Sequence, residues 1–191
     1  MQSVIFMANG VEECEPLLVV DLLRRAGLSI DMVSVHKTKQ IESAHNVKIE
    51  CDKTLDQVDG SAVDLYVVPG GLKGVDNLMA NEKVSQLLLD QHNKKKLLAA
   101  ICAGPTVLSA LGILDDKNAT VYPGMEEDLG SKVHFKDKDV IQDGHVITSH
   151  GLGAAIPFAL HLISVLKDQE TADKVAKAIV YKEAVLKNKI G

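Results

Sequence analysis

The stretch LLAAICAGPTVLSALG, Leu97 to Gly112, decides the fold. An apolar run of strand-forming residues ends abruptly in a lone cysteine, Cys102. A small residue, a glycine and a proline follow, and a helical pattern then runs to Gly112. A buried strand that turns sharply into a helix is the unit of a parallel sheet covered by helices. Such a turn lifts one side chain out of the sheet, and here that side chain carries a thiol.

Outward from this stretch, short apolar runs alternate with amphipathic helical patterns. Ser3 to Ala8 reads as a strand. VEECEPLLVVDLLRRAG, from Val11, reads as a helix with acids and Pro16 near its start and Gly27 as its stop. Leu28 to Val35 alternates with period two, as a strand does. Asp64 to Gly71 is a further strand, broken by Pro69-Gly70-Gly71. A helix starts at Asn81, and Ala119 to Gly124 gives a short strand. QIESAHNVKIECD and DVIQDGHVITSHG read as hairpins, expected at the two edges of the sheet. Two helices close the chain. No repeat, low-complexity tract or linker interrupts this order, so one α/β domain is expected over residues 1–191, with a largely parallel central sheet.

Composition narrows the function. The chain has 191 residues, a net charge of -5 and 46% hydrophobic residues. No basic stripe offers itself to nucleic acid or to an anionic membrane. No apolar run approaches the ~20 residues that span a bilayer. The N-terminus lacks the basic and apolar regions of a secretory signal, which places the chain in the cytoplasm by default. The three cysteines, Cys14, Cys51 and Cys102, suit a reducing compartment. With no CxxC pair and no HExxH segment, no metal site is expected.

In an open parallel sheet the functional crevice lies beyond the carboxyl ends of the strands. Four loops converge there: Ala8-Asn9-Gly10, Pro69-Gly70-Gly71, Cys102 and Ser149-His150-Gly151. At the helix N-terminus, unpaired N–H groups favour thiolate over thiol, so Cys102 is expected to titrate below about 8.5. The N–H groups around Gly70 and Gly71 suit an oxyanion. Glu12, Glu13 and Glu15 complement the dipole of the first helix. Glu15 also precedes Pro16 and an apolar stretch, and so is expected to point inward and hold its proton. His36, His92, His134 and His145 lie in polar stretches and read as solvated. His161 reads as a packed, hydrogen-bonded residue, and His150 is the site histidine.

AAICAGP, with VVPGG before it and GVEECEPLLVVDLLRRAG at the start, resembles the ThiJ/PfpI superfamily, in the branch of the Parkinson disease protein deglycase and its bacterial relatives. The resemblance covers nearly the full length, through NL after the glycine loop and ITSHGLGAAIPFAL near the end. It implies a flavodoxin-like three-layer sandwich and a homodimer. It also implies a nucleophile at Cys102, a partner acid at Glu15, and oxyanion donors at Gly70, Gly71 and Ala103. The implied activities are cofactor-free glyoxalase, deglycase, peptidase, and stress chaperone or redox sensor. Two positions depart from the family pattern. Tyr122 stands where relatives carry a histidine, and tyrosine is a poor general base near neutral pH. His150 stands where relatives carry arginine or another polar residue. Both positions are expected to contact substrate. A 2-oxoaldehyde such as methylglyoxal is therefore the expected substrate, with oxidation sensing as the alternative and peptidase chemistry last.

Overall fold

The structure, a computed structural model, describes residues 1–181; residues 182–191 of the expected domain lie outside the described residues. The central sheet has seven strands. In space they run β10 (Val140–Asp143), β11 (Val146–Ser149), β7 (Leu97–Ile101), β6 (Leu65–Val68), β1 (Gln2–Met7), β2 (Ser29–Ser34) and β5 (Lys53–Thr54). Every pairing is parallel except β10 with β11.

The strand pattern sorts side chains between two faces, because successive residues of a strand point opposite ways. Ile5 and Met7 of β1 join one core layer, with Val19 and Leu23 of α1 (Cys14–Arg25) and Phe158 of α5 (Ala155–Leu166). α6 (Gln169–Ala178) completes that layer through Val175. Val4 and Phe6 of the same strand face the other layer. There they meet Leu78 of α2 (Leu72–Met79), Leu88 of α3 (Glu82–Asn93) and Leu108 of α4 (Gly104–Ala110). Helices thus cover both faces of the sheet.

The two expected hairpins part company. DVIQDGHVITSHG forms β10 and β11, and β10 is the sheet edge as expected. QIESAHNVKIECD forms β3 (Gln40–Glu42) and β4 (Lys48–Glu50), but these make a separate two-stranded sheet, and the second edge is β5. Only Ile41 and Ile49 are buried among these six residues. One apolar side chain per strand gives too little to hold the pair in the main sheet. Instead the hairpin packs Ile41 and Ile49 into the α1 layer. Its backbone is tied to the β1–α1 loop, with the Gly10 N–H donating to Glu42 O (2.8 Å) and the Ala44 N–H to Val11 O (2.8 Å). This brings the hairpin turn to the site.

Two further expectations shift. Ala119 to Gly124 is not a continuous strand: β8 is Asn118–Ala119, paired with β9 (His134–Phe135). The next N–H groups leave the ladder for other partners, Thr120 donating to Thr148 Oγ1 and Tyr122 to Cys102 O. Three of the four histidines read as solvated have protein partners. The Asn9 N–H donates to His36 Nε2, and the rings of His92 and His145 meet at 3.1 Å, where α3 ends beside the start of β11. His161 pairs with Gln142 Oε1 at 2.8 Å, as expected of a packed histidine.

Candidate active site

Cys102 follows β7 directly, and its backbone takes a φ of 63°, in the left-handed region that side chains avoid. Two hydrogen bonds hold that strained turn. Its N–H donates to Ser149 O and its carbonyl accepts from the Tyr122 N–H, both at 2.9 Å. β11 pairs in register with β7, Ser149 beside Ile101, so the strand end places the first of these partners. Strain of this kind persists only where the surroundings over-determine it.

Glu15 enters from the first turn of α1. It is 1% exposed, as the apolar residues after it predict. Its backbone N–H donates to Glu12 Oε2 (2.8 Å), which fixes the turn. Its Oε2 accepts from the Gly70 N–H (2.8 Å), and its carboxyl hydrogen-bonds with Cys102. The sequence reading placed Gly70 among the oxyanion donors; its N–H is instead engaged by Glu15. The N–H groups of Ala103 and Gly71 are the ones that reach the Cys102 sulfur.

Gly70 also makes room for the pair. A Cβ there would lie 2.5 Å from Cys102 Cβ and 2.8 Å from both Cys102 Sγ and Glu15 Oε2. Gly71 has a φ of 89°, and a Cβ on it would meet Gly10 O at 2.4 Å. The Pro69-Gly70-Gly71 break is therefore a requirement of the site as well as a turn.

Burial raises the Glu15 carboxyl to about 7, against the pull of its hydrogen bonds to Gly70 and Cys102. Burial also pushes the Cys102 thiol up, to about 12, with the charge of Glu15 as the next cause; the Ala103 and Gly71 N–H groups act the other way. This differs from the expected drop below an ordinary thiol, which took in the helix terminus but neither burial nor a charged neighbour. The two groups titrate as a pair. Between the two steps they share one proton and one negative charge. When Glu15 holds the proton, its repulsion of sulfur disappears, and the thiolate faces two N–H donors. Cys51 is buried and pushed up to about 12 with no such donors, and Cys14 is exposed with its thiol raised by burial and by Glu12.

Cys102 opens on a cleft of about 510 Å³. Gly71 and Ala103 line it, as does the ring of Tyr122. His150 does not line it; its ring lies against Asp139, 3.7 Å from Oδ1. Sequence reasoning missed Leu72, Met125, Asp128 and His45 on the lining, and saw Glu12 only as a helix-end acid. His45 has both Glu13 carboxylate oxygens 3.1 Å from its Nδ1. Glu12, Glu13 and His45 bring their ligand atoms within 4.8 Å of one another, a grouping that no sequence spacing announced. Among the described residues no helix is long and apolar enough to cross a membrane.

A flavodoxin-like α/β sandwich with a strained cysteine after an interior strand, an inward carboxyl and a glycine-cleared contact between them defines a recognisable class of proteins. The chain belongs to the DJ-1/PfpI family, whose model matches residues 1–165. It is 36% identical to protein dj-1beta of Drosophila melanogaster over 179 residues, 93% of this chain and 96% of that protein. The crystal structure of Drosophila DJ-1beta superposes with a TM-score of 0.91 at 35% identity, covering 95% of this chain and 100% of the other. It is also 34% identical to the Parkinson disease protein 7 homolog of Danio rerio, over 95% of this chain and 98% of that protein. The glutathione-independent glyoxalase DJR-1.2 of Caenorhabditis elegans is 30% identical, over 92% and 94% of the two chains.

Proposed function

We propose that this chain is a glutathione-independent, cofactor-free glyoxalase, which converts a 2-oxoaldehyde such as methylglyoxal, or an adduct of one, to a 2-hydroxy acid. The observation that carries this reading is the hydrogen-bond contact between the Cys102 sulfur and the buried Glu15 carboxyl. Cys102 thiolate adds to the aldehyde carbon, forming the S–C bond. The carbonyl π electrons move to oxygen, which the Gly71 and Ala103 N–H groups stabilise and which takes the Glu15 proton. Glu15 carboxylate then removes the hydrogen on that carbon as a proton, giving an enediolate, and returns it to the neighbouring carbon, while the hydroxyl proton of the first carbon passes to the neighbouring oxygen. The first carbon becomes a thioester. Water cleaves it, releasing the hydroxy acid and restoring the thiol. No oxidant or reductant enters the balance.

Tyr122 supports this reading over peptidase chemistry, because among the described residues no histidine hydrogen-bonds the Cys102 sulfur to protonate a leaving amine. His45 lines the same cleft but is engaged by Glu13. The test is lactate formation from methylglyoxal without glutathione. Wild type is expected to form it, and the Cys102→Ser variant to lose at least about a thousandfold in rate. Lactate formation by the variant at the wild-type rate would end the nucleophile assignment. Absence of lactate from wild type would favour the alternative, a sensor that works by oxidation of Cys102.

The homodimer belongs to the same proposal. Leu17 on α1 and Val47 beside the hairpin turn are 38% and 43% exposed, large apolar side chains on the elements that frame the site. Light scattering is expected to give twice the 20.6 kDa chain mass. The chain mass alone at micromolar concentration would contradict it.

A further inference from the structure

The lining of the Cys102 cleft divides by chemistry. The apolar part is Leu72, Tyr122, Pro123 and Met125, in the same cleft as Cys102. Leu72 is 69% exposed and Tyr122 49%, so two large apolar groups face open space in the cleft that holds a nucleophile. An exposed leucine alone means little; apolar side chains gathered around one cleft mark a surface that binds apolar matter. The charged lining is all of one kind. Glu12 and Asp128 contribute carboxylates, and among the described residues no lysine or arginine lines the cleft. The one basic side chain there, His45, is already held by Glu13. The volume of about 510 Å³ falls in the range of sites that enclose drug-sized ligands, well above what a three-carbon oxoaldehyde fills.

We infer that this cleft selects 2-oxoaldehydes whose ketone carries a bulky apolar group, such as an aryl ring, and rejects those that carry a carboxylate. The inference rests on the glyoxalase reading and names the substrate class for it. With the aldehyde carbon at the sulfur and its oxygen at Gly71 and Ala103, the substituent on the neighbouring carbon is left to the apolar lining. Leu72 follows Gly71 directly and Tyr122 is bonded to the Cys102 carbonyl, so both lining residues are fixed to the reacting atoms through backbone. A negatively charged substituent meets Glu12 and Asp128 with no cation to offset them, which costs binding and slows approach, most at low salt. The product acid carries such a charge, so the same carboxylates favour its release.

The test compares methylglyoxal, phenylglyoxal and 4-carboxyphenylglyoxal as substrates of the wild-type protein. Phenylglyoxal is expected to exceed methylglyoxal in kcat/KM by about tenfold or more, the scale on which an apolar pocket discriminates. The carboxylated analogue is expected to fall below phenylglyoxal by about three- to tenfold, and the gap to narrow as salt rises. Leu72→Ala is expected to reduce the phenylglyoxal-to-methylglyoxal ratio. Asp128→Asn, a change on the exposed rim, is expected to raise the carboxylated-to-parent ratio. Equal kcat/KM for all three substrates would overturn the inference, as would ratios unmoved by both variants.

If no oxoaldehyde is turned over, the glyoxalase reading fails, and the selectivity is read from alkylation of Cys102. Iodoacetamide is then expected to outpace iodoacetate by more than it does on free N-acetylcysteine, and N-phenyliodoacetamide to outpace both. Rates that parallel those of the free thiol would overturn the inference by this route too.

Discussion

Glu15→Gln is expected to lower methylglyoxal turnover by about a hundredfold to ten-thousandfold, the range over which a positioned acid–base group contributes. The carboxyl is the only described side chain that hydrogen-bonds the Cys102 sulfur, and the proposed reaction uses it twice. Gln keeps the shape and keeps a donor toward sulfur, but it cannot take up the carbon-bound hydrogen. Replacing the carboxyl removes a buried group that burial drives toward its neutral form, so the folded state is expected to survive. Circular dichroism and thermal unfolding are expected to match wild type within the usual scatter of a conservative change. Turnover at the wild-type level would leave Glu15 as a helix-end acid and remove the proton carrier from the mechanism.

Gly70→Ala is expected to drive a methyl into the contact between the sulfur and the carboxyl. Its Cβ would fall 2.5 Å from Cys102 Cβ and 2.8 Å from the sulfur and from Glu15 Oε2. None of the three can retreat freely. Cys102 is pinned by the Ser149 and Tyr122 backbone, and Glu15 is held in a buried first turn. The added methyl therefore separates sulfur from carboxyl or distorts the turn that holds the sulfur. Turnover is expected to fall by about a hundredfold or more, since misplacement near 1 Å costs that much. Stability is expected to fall by about 1–3 kcal/mol, as overpacking does. Retained turnover would show that the sulfur–carboxyl contact is dispensable.

The parts of this site that were legible in the sequence share one property: local pattern alone determines them. The turn at Cys102 follows from an apolar run meeting a small residue, a glycine and a proline. The inward aim of Glu15 follows from its place before Pro16 and an apolar stretch. The Pro69-Gly70-Gly71 break marked a site loop, although which N–H serves which acceptor needed coordinates. The parts that stayed hidden are set by contacts between distant segments. His45 reaches the cleft because its hairpin leaves the main sheet and is tied through Glu42 and Ala44 to Gly10 and Val11. α2, which carries Leu72, begins without a capping side chain and contains Gly74, so its pattern is faint. Tyr122 reads as strand until its N–H is seen to serve Cys102. His150 looked like a site residue at the end of a strand, yet the residue before it supplies the contact to Cys102, and His150 itself turns to Asp139. The pairing of the thiol with a buried carboxyl escaped for the same reason: helix termini are visible in a sequence, whereas burial beside a carboxyl is not.

The central claim is that Cys102 and Glu15 share one proton and that this exposes a thiolate at neutral pH. The most direct measurement is the pH dependence of iodoacetamide alkylation at Cys102, followed by intact mass, in wild type and in Glu15→Gln. Burial holds the Glu15 carboxyl up to about 7 and the Cys102 thiol up to about 12; in the proposed pair the one proton kept after the first loss sits on the carboxyl, with the charge on the sulfur facing the Gly71 and Ala103 N–H groups. The wild-type rate is therefore expected to be half-maximal at or below about pH 7, against about 8.5 for an ordinary thiol. In Glu15→Gln no carboxyl can hold the proton beside the sulfur, and the midpoint is expected to rise by a unit or more. A wild-type midpoint at or above that of an ordinary thiol, unmoved by Glu15→Gln, would contradict the account.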